Sequence, residues 1–185
     1  MRRFPLALAL LALLGLLAGG AAVLGAVEAP TGADVAVHNA ATATLGASPL
    51  RGQYTSSSLG GDVVSFEFSA PSHLTEVAKT PDGTVRARRT VEGGTALAAL
   101  EPIRDLLSVT GFTGPGPAYV STMPLSDLLP AGEHENVNGH FRVSVQVSGH
   151  YVVAVAWVIR ASAAGERLSQ DVRYRLTTVG GWESS

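Results

Sequence analysis

The chain has 185 residues, no cysteine and a formal net charge of −2 at pH 7. This length suits a single domain with its own hydrophobic core. The absence of cysteine excludes disulfides, thiolate chemistry and an acylated lipobox cysteine, and the slight acidic excess argues against a nucleic-acid-binding protein.

The N-terminus has the pattern of an export segment. An almost unbroken apolar run, Phe4–Val27, follows two arginines, and as a helix it would reach roughly 36 Å, enough to cross a bilayer. Because the arginines stay in the cytoplasm, we expect residues 28–185 on the extracytoplasmic side of the cell membrane, or secreted if the segment is cleaved. The sequence therefore predicts a signal peptide or signal anchor at residues 1–27, with cleavage left open, and a linker at 28–32.

The predicted domain, residues 33–179, begins with a helix and a β-meander. Ala33–Ala47 has helical spacing of small and apolar residues, with Asp34 in the first turn. Alternating runs then predict four strands, and Gly and Pro supply the turn chemistry between them. The strands are Arg51–Ser58, Val63–Ser69, His73–Lys79 and Thr84–Val91, and the clearest turns are Leu59-Gly60-Gly61-Asp62 and Pro81-Asp82-Gly83.

A second helix is predicted after the meander, from Thr95 to Val109. Thr95 is a suitable N-cap, and Pro102 must kink the helix or begin its second half. The apolar stripe at helical spacing consists of Leu97, Leu100, Ile103, Leu106, Leu107 and Val109.

The segment between this helix and the last strands is predicted to be mostly irregular. The stiff loop Gly114-Pro115-Gly116-Pro117 leads into a strand at Ala118–Met123. One helical turn at Leu125–Leu129 and a polar surface loop at Pro130–Gly139 follow.

Three long strands between His140 and Thr178 complete the domain, because apolar and aromatic residues recur there at every second position. A three-residue loop through Ser148, Gly149 and His150 would keep these residues on one face. It would pair Val147 with Tyr151 and Val143 with Val155. The third strand adds Leu168, Val172, Tyr174 and Leu176 to that face and places Asp171, Arg173 and Arg175 opposite. Residues 180–185 form a tail, in which Trp182 either folds back on the core or lies free.

The sequence offers little support for catalysis. Glu133, His134, Glu135 and His140 could ligate a metal, but they lack the i, i+4 helical spacing of a zinc-protease motif, so a solvated loop is favoured. The chain has no nucleophile elbow, phosphate-binding glycine loop or dinucleotide fingerprint, and its carboxylates are scattered singly. We therefore expect a protein that is not an enzyme and binds neither metal nor cofactor.

The feature with functional content is a large apolar face on the predicted curved sheet, which is too extensive to face water bare. If helices fill it completely, it is only a core. If they fill it partly, a groove remains in which each buried CH₂ of an acyl chain contributes about 0.8 kcal/mol. The candidate ligand-binding residues, called the candidate face below, are Val64, Phe66, Phe68, Val143, Val145, Tyr151, Val153, Val155, Trp157 and Tyr174.

Several stretches carry a family resemblance: Val63–Ser69 with Pro71-Ser72, the junction Val91-Glu92-Gly93-Gly94-Thr95, Leu97–Phe112, and Phe141–Ile159 with Val172–Val179. Their order resembles the half-barrel superfamily of LolA-like periplasmic lipoprotein carriers and the lipid-carrier lipoproteins of mycobacteria. The resemblance implies a curved antiparallel sheet wrapped around helices, with an apolar cavity for acyl chains. The mycobacterial proteins carry an acylated cysteine that this chain lacks, so a carrier here would act after cleavage or from a fixed anchor. The same fold also serves as a sensor domain that binds protein partners.

The sequence thus predicts an α+β half-barrel, preceded by a hydrophobic helix, in a bacterial cell envelope. The expected function is non-catalytic binding or carriage of a hydrophobic ligand, either a lipid or an acylated protein. The alternative is a membrane-anchored interaction or sensor module with a dry core, whose partner is an envelope protein. An enclosed apolar cavity of roughly several hundred Å³ between sheet and helices would favour the ligand-binding function.

Overall fold

The structure, a computed structural model, describes residues 31–56, 63–69, 73–92, 100–125, 137–163 and 166–183. These residues form two short helices, a 3₁₀ turn and nine strands. The helices are α1 (Gly32–Leu45) and α2 (Glu101–Arg104), and the 3₁₀ turn is Asp105–Ser108. The strands are β1 (Leu50–Ser56), β2 (Val63–Ser69), β3 (His73–Lys79), β4 (Val85–Glu92), β5 (Ala118–Pro124), β6 (Val137–Ser148), β7 (Tyr151–Ala163), β8 (Glu166–Val179) and β9 (Trp182–Glu183).

The strands form one curved antiparallel sheet. Its order is β4-β3-β2-β1-β8-β7-β6-β5, and β9 pairs with β8. Two meanders, β1–β4 and β5–β8, therefore join where the first strand pairs with the eighth, from Leu50 opposite Val179 to Ser56 opposite Val172. The predicted four-strand meander and the three long final strands are confirmed, although the final strands are longer than predicted.

Helix α1 lies against β6 and β7, and the helix predicted at the start of the domain is confirmed. Thr31 and Asp34 form a capping box that satisfies the N–H groups at its start, and Gly46 caps its end. Val37, Ala40, Ala41 and Thr44 are all buried. The helix begins one residue and ends two residues before the predicted limits.

The described part of the second predicted helix is one α-helical turn followed by a 3₁₀ turn. Pro102 lies in the first turn, where its missing N–H costs nothing, so it begins this helical segment rather than kinking it. Leu107 was predicted in the apolar stripe but is 39% exposed. With three residues per 3₁₀ turn, Ile103, Leu106 and Val109 share the buried side, and Leu107 points away. Thr95 and Leu97 lie outside the described residues.

The hairpin between β6 and β7 differs from the prediction. Its loop has two residues, Gly149 and His150, with Ser148 opposite Tyr151. The predicted pairs of Val147 with Tyr151 and of Val143 with Val155 are therefore wrong. Val147 lies opposite Val152, and Val143 lies opposite Trp157. Val153 has no opposite residue, so it forms a β-bulge, and this extra residue keeps Val143, Val145, Val155 and Trp157 on one face.

The predicted polar loop at 130–139 ends earlier than expected. Val137, Asn138 and Gly139 belong to β6, with Gly139 opposite Ala161. A Cβ at Gly139 would collide with the carbonyl oxygen of Arg160, so this glycine permits a close approach of two strands rather than a turn. The rest of that loop and most of the predicted helical turn 125–129 lie outside the described residues, as does the turn 59–62.

The described residues include only part of the two chain ends. The apolar run Phe4–Val27 lies outside the described residues, and no helix within the described ranges has the length and hydropathy that a membrane span requires. At the other end, the predicted tail includes β9, in which Trp182 lies opposite Val179.

Candidate functional site

The strand register brings most of the candidate face together. In one row Val143, Trp157 and Val172 lie side by side on β6, β7 and β8. The next row runs from Val145 through Val155, Tyr174 and Tyr54 to Val64 on β2. These two rows hold six of the ten predicted residues.

The candidate face is buried beneath α1 on the side of β6 and β7. Val143 is fully buried, and Val155 and Tyr174 are each 2% exposed. Val153 is also buried, whereas Tyr151 is half-buried near the hairpin tip. Phe68 pairs with Leu50 and Leu74 in the sheet, and its side chain lies outside the described residues.

Aromatic rings pack against one another across this face. Phe66 stacks on Tyr174 with ring centroids 5.1 Å apart, and Phe141 stacks on Trp157 at 5.3 Å. Gly52 lies on β1, between the strands that carry Phe66 and Tyr174. It leaves room for the Phe66 ring, because a Cβ at this position would lie 2.7 Å from Phe66 Cζ. The rings of Tyr54 and Phe66 are 6.4 Å apart.

Sequence reasoning missed Tyr54 and Phe141 as members of the site. Phe141 continues the alternation of Val143 and Val145 in the sequence, but it is not among the predicted ligand-binding residues. Tyr54 alternates with Leu50 and Gly52 along β1, so the period-two rule was the available signal. Because Gly52 interrupts the apolar alternation, the sequence pattern did not identify Tyr54 as a member of the face.

Two hydrogen-bond donors on the candidate face have no partner. Trp157 Nε1 and Tyr174 Oη are buried and make no hydrogen bond in the structure as far as it is described. Burial raises the pKa of the Tyr174 phenol, so its hydroxyl remains protonated. A buried donor without a partner costs about 1–3 kcal/mol, and such groups are rare in folded proteins.

An ion pair with one buried partner lies at the β3 side of the face. Glu76 lies opposite Phe66, is 6% exposed, and accepts a hydrogen bond from the Arg89 guanidinium on β4. The hydrogen bond and the charge of Glu76 raise the pKa of Arg89. Because Arg89 is mostly exposed, the pair brings one charged group onto the apolar face and leaves the other in solvent. The sequence showed Glu76 only as an isolated carboxylate.

The sheet also has a groove of about 470 Å³, and it lies on the side away from α1. Its lining includes exposed or half-buried residues that alternate with the candidate face, such as Ala154 and Ala156. Tyr174, Val145 and Val155 also border it, but their side chains are buried on the other face, so they contribute backbone. This cavity is therefore not the one expected between sheet and helices.

The four residues that were weighed as metal ligands, in a segment predicted to be a solvated loop, fall mostly outside the described part of the chain. His140 is exposed in β6, and residues 133–135 are not described. Within the described ranges, no three His, Asp or Glu side chains are grouped so that they could hold a metal ion.

Comparisons with known proteins give a structural likeness. No family model matches the chain, and no curated protein sequence matches it. Among solved structures, the chain is similar to the crystal structure of LprF from Mycobacterium bovis, with a TM-score of 0.42 and 12% sequence identity. The alignment covers 85% of this chain and 97% of that chain. Function must therefore be argued from the site itself.

Proposed function

We propose that this chain is a non-catalytic binding domain for a hydrophobic ligand, either a lipid or the acyl chains of a lipoprotein. The observation that supports this function is the pair of unpartnered donors, Trp157 Nε1 and Tyr174 Oη, on a face whose other buried side chains are mostly apolar. An acyl ester supplies what they lack, because its carbonyl oxygen accepts hydrogen bonds while its chain requires an apolar surface.

In this proposal the sheet is the half-barrel of a lipid carrier and α1 is the element that yields to the ligand. The side chains that α1 buries are small, chiefly Val37, Ala40 and Ala41, so it contributes little apolar area per turn. A sixteen-carbon chain gains on the order of 12 kcal/mol on burial, less the cost of ordering it and of moving α1. The acyl chain would replace α1 against Val143 and Val155.

The proposal places the domain outside the cytoplasm. The apolar N-terminal run behind two arginines would export residues 28–185 and hold the domain at the cell membrane, where lipid is the most abundant apolar ligand. With no cysteine to acylate, the chain would act from this anchor or after cleavage.

The test measures the lipid content of the full chain after purification from membranes in a mild detergent. Native mass spectrometry followed by organic extraction is expected to find a bound lipid. Trp157→Phe and Tyr174→Phe remove only the donors, so each is expected to reduce bound lipid severalfold. Tyr119→Phe is the matched control: it removes a half-buried phenol opposite Val145, at the β5 edge of the same row, which is not one of the two unpartnered buried donors, and it should retain the lipid.

Unfolding in urea separates a binding role from a structural one. Because the Tyr174 hydroxyl is unpaired, Tyr174→Phe should leave the free energy of unfolding of the lipid-free protein unchanged or raise it. A variant that loses stability and keeps its lipid would contradict the assignment.

A second candidate function is an interaction or sensor module for an envelope protein. The observation that favours it is the complete burial of Val143 and near-complete burial of Val155, as in a dry core. A full chain that carries no lipid and takes up none from added phospholipid vesicles would overturn lipid binding in favour of this module.

A further inference from the structure

The groove on the side away from α1, called the outer groove below, crosses five strands in two parallel rows. The register places the side chains of each row next to one another on the same face. The first row is Ala118, Gln146, Ala154, Arg175 and Gln53, and the second is Val120, Ser144, Ala156, Arg173 and Thr55.

Small side chains create the groove. Ala154 and Ala156 are half-buried on the central strand β7, and Ala118 lies on the edge strand β5. Longer side chains on the strands between and beyond them, Gln146 and Arg175, rise above this floor. The result is an open, largely apolar trough from β5 to β7 that meets two arginines at β8, and beyond them the lining on β1 is polar, with Gln53 and Thr55.

The two arginines are not neutralised within the described part of the chain. Arg173 and Arg175 are exposed, and neither has a carboxylate within ion-pair distance there. The carboxylates on neighbouring positions of this face are already paired: Glu67 with Arg51 at 3.0 Å and Asp171 with Arg160 at 3.2 Å. The groove therefore keeps two positive charges at β8.

A groove that is largely apolar from β5 to β7 and cationic at β8 fits an amphiphile with one anionic head. We propose that the outer groove binds a free medium-chain fatty acid, with its carboxylate between Arg173 and Arg175 and its hydrocarbon chain across Ala154 and Ala156 toward Val120. Arginine binds a carboxylate through paired hydrogen bonds, and the alanine floor excludes water from one side of the chain.

The spacing of the strands sets the chain length. From β8 to β5 are three strand spacings, about 14 Å at ~4.8 Å each. An extended hydrocarbon advances about 1.25 Å per carbon, given a C–C bond of about 1.5 Å, so a chain of about eleven carbons reaches from the arginines on β8 to β5. This site differs from the proposed function in its face of the sheet and in its ligand's charged head.

The test is photo-labelling of the full chain in lipid nanodiscs. The probe is dodecanoate with a diazirine at the end of its chain, and peptides are mapped by mass spectrometry. We expect labelling on residues 118–120 and 144–146, where the end of the chain would lie. Saturation should occur at lower concentration for dodecanoate than for octanoate, by about twofold per methylene, since only one side of the chain is buried.

Variants test each end of the groove. Arg173→Gln should weaken labelling at least about fivefold, since it removes a charge-assisted contact. The control Arg88→Gln makes the same change at an exposed outer-face position of β4, remote from the groove, and should have no effect. Ala154→Phe fills the floor and should abolish labelling of β5 without lowering the melting temperature, because position 154 is not in the core.

Photo-labelling of the outer groove is expected to be independent of lipid binding on the candidate face. Trp157→Phe should leave labelling of the outer groove unchanged even where it removes bound lipid. Equal labelling by a probe with the same chain and a trimethylammonium head would overturn the proposal, as would unchanged labelling of Arg173→Gln or labels confined to peptides outside the groove.

Discussion

Asp34 shows how one buried side chain joins distant parts of the chain. Its carboxylate accepts hydrogen bonds from the N–H of Phe112 at 2.8 Å and from the N–H of Thr31 at 2.8 Å. Burial raises the pKa of Asp34, but the hydrogen bonds from Phe112 and Thr31 outweigh this effect and lower it. The same carboxylate therefore caps α1 and fixes the segment after the 3₁₀ turn.

Asp34→Ala is expected to lower the free energy of unfolding by about 2–4 kcal/mol, because it removes the cap and leaves the Phe112 N–H buried without a partner. Urea unfolding of the full chain measures the change. Asp34→Asn retains an acceptor for Phe112 and should lose less. Equal losses in the two variants would contradict a role for this hydrogen bond.

Asp105 is a second carboxyl whose surroundings change its titration. Burial, and then the neighbouring negative charge of Glu101, raise its pKa to about 6. The folded state therefore binds a proton more tightly than the unfolded state, where the pKa is about 3.9. Its contribution to stability is fully present below pH 4 and is lost as the pH rises through 6.

Asp105→Asn should raise the free energy of unfolding at pH 7 by about 1–2 kcal/mol, less than the full pKa shift implies because solvent screens this half-buried carboxyl, and should leave it unchanged at pH 4. Chemical unfolding at the two pH values measures this difference. Asp82→Asn is a control of opposite sign, because hydrogen bonds from the Thr80 side chain and the Thr84 N–H lower the pKa of Asp82. A gain for Asp105→Asn at both pH values would contradict the titration.

At the scale of elements, alternation of apolar residues predicted the strands well and the hairpin register poorly. In β6 the polar residues Arg142, Ser144 and Gln146 mark the outward positions unambiguously. Near the start of β7, Val152 and Val153 are both apolar, so the sequence pattern does not show which of them is the extra residue. The bulge became evident only from the pairing of the two strands.

Helical periodicity gave a wrong prediction for Leu107 because here, too, two adjacent residues, Leu106 and Leu107, are both apolar. A period of 3.6 residues accommodates both in one stripe, whereas the 3₁₀ turn selects Leu106 alone. The candidate face could be predicted because it depends on alternation within each strand. The unpaired donors and the outer groove depend on how the strands lie side by side, including strands far apart in the chain, as where Gln53 on β1 pairs with Arg175 on β8, and no local pattern contains this information.

Deleting Val153 should preserve the fold. Val152 and Ala154 already pair with consecutive residues of β6, so removing the bulge leaves every pair in place. We expect a loss of about 1–2 kcal/mol in the free energy of unfolding, from the buried Val153 side chain.

The matched control is deletion of Ala156, which shifts one half of β7 by one position and turns its inward residues outward. This variant should not fold. Circular dichroism and thermal unfolding distinguish the two deletions, and equal stability of both variants would contradict the assigned register.

At the scale of the whole molecule, one sheet separates two different surfaces. The face toward α1 holds the core, the stacked rings and the two unpaired donors, and the opposite face holds the outer groove. Since side chains alternate along every strand, each strand from β5 to β8 contributes to both surfaces. A substitution at one position therefore tests one surface without changing the other.

The pairing of β1 with β8 also determines when this molecule can finish folding. The first meander can form as soon as its residues emerge, but β1 then presents an unsatisfied edge that only the last long strand covers. Such a contact between opposite ends of a domain has a high contact order and forms slowly. During synthesis the chain would thus remain half-assembled until β8 arrives, and in that interval the open edge of β1 is exposed to pairing with other chains.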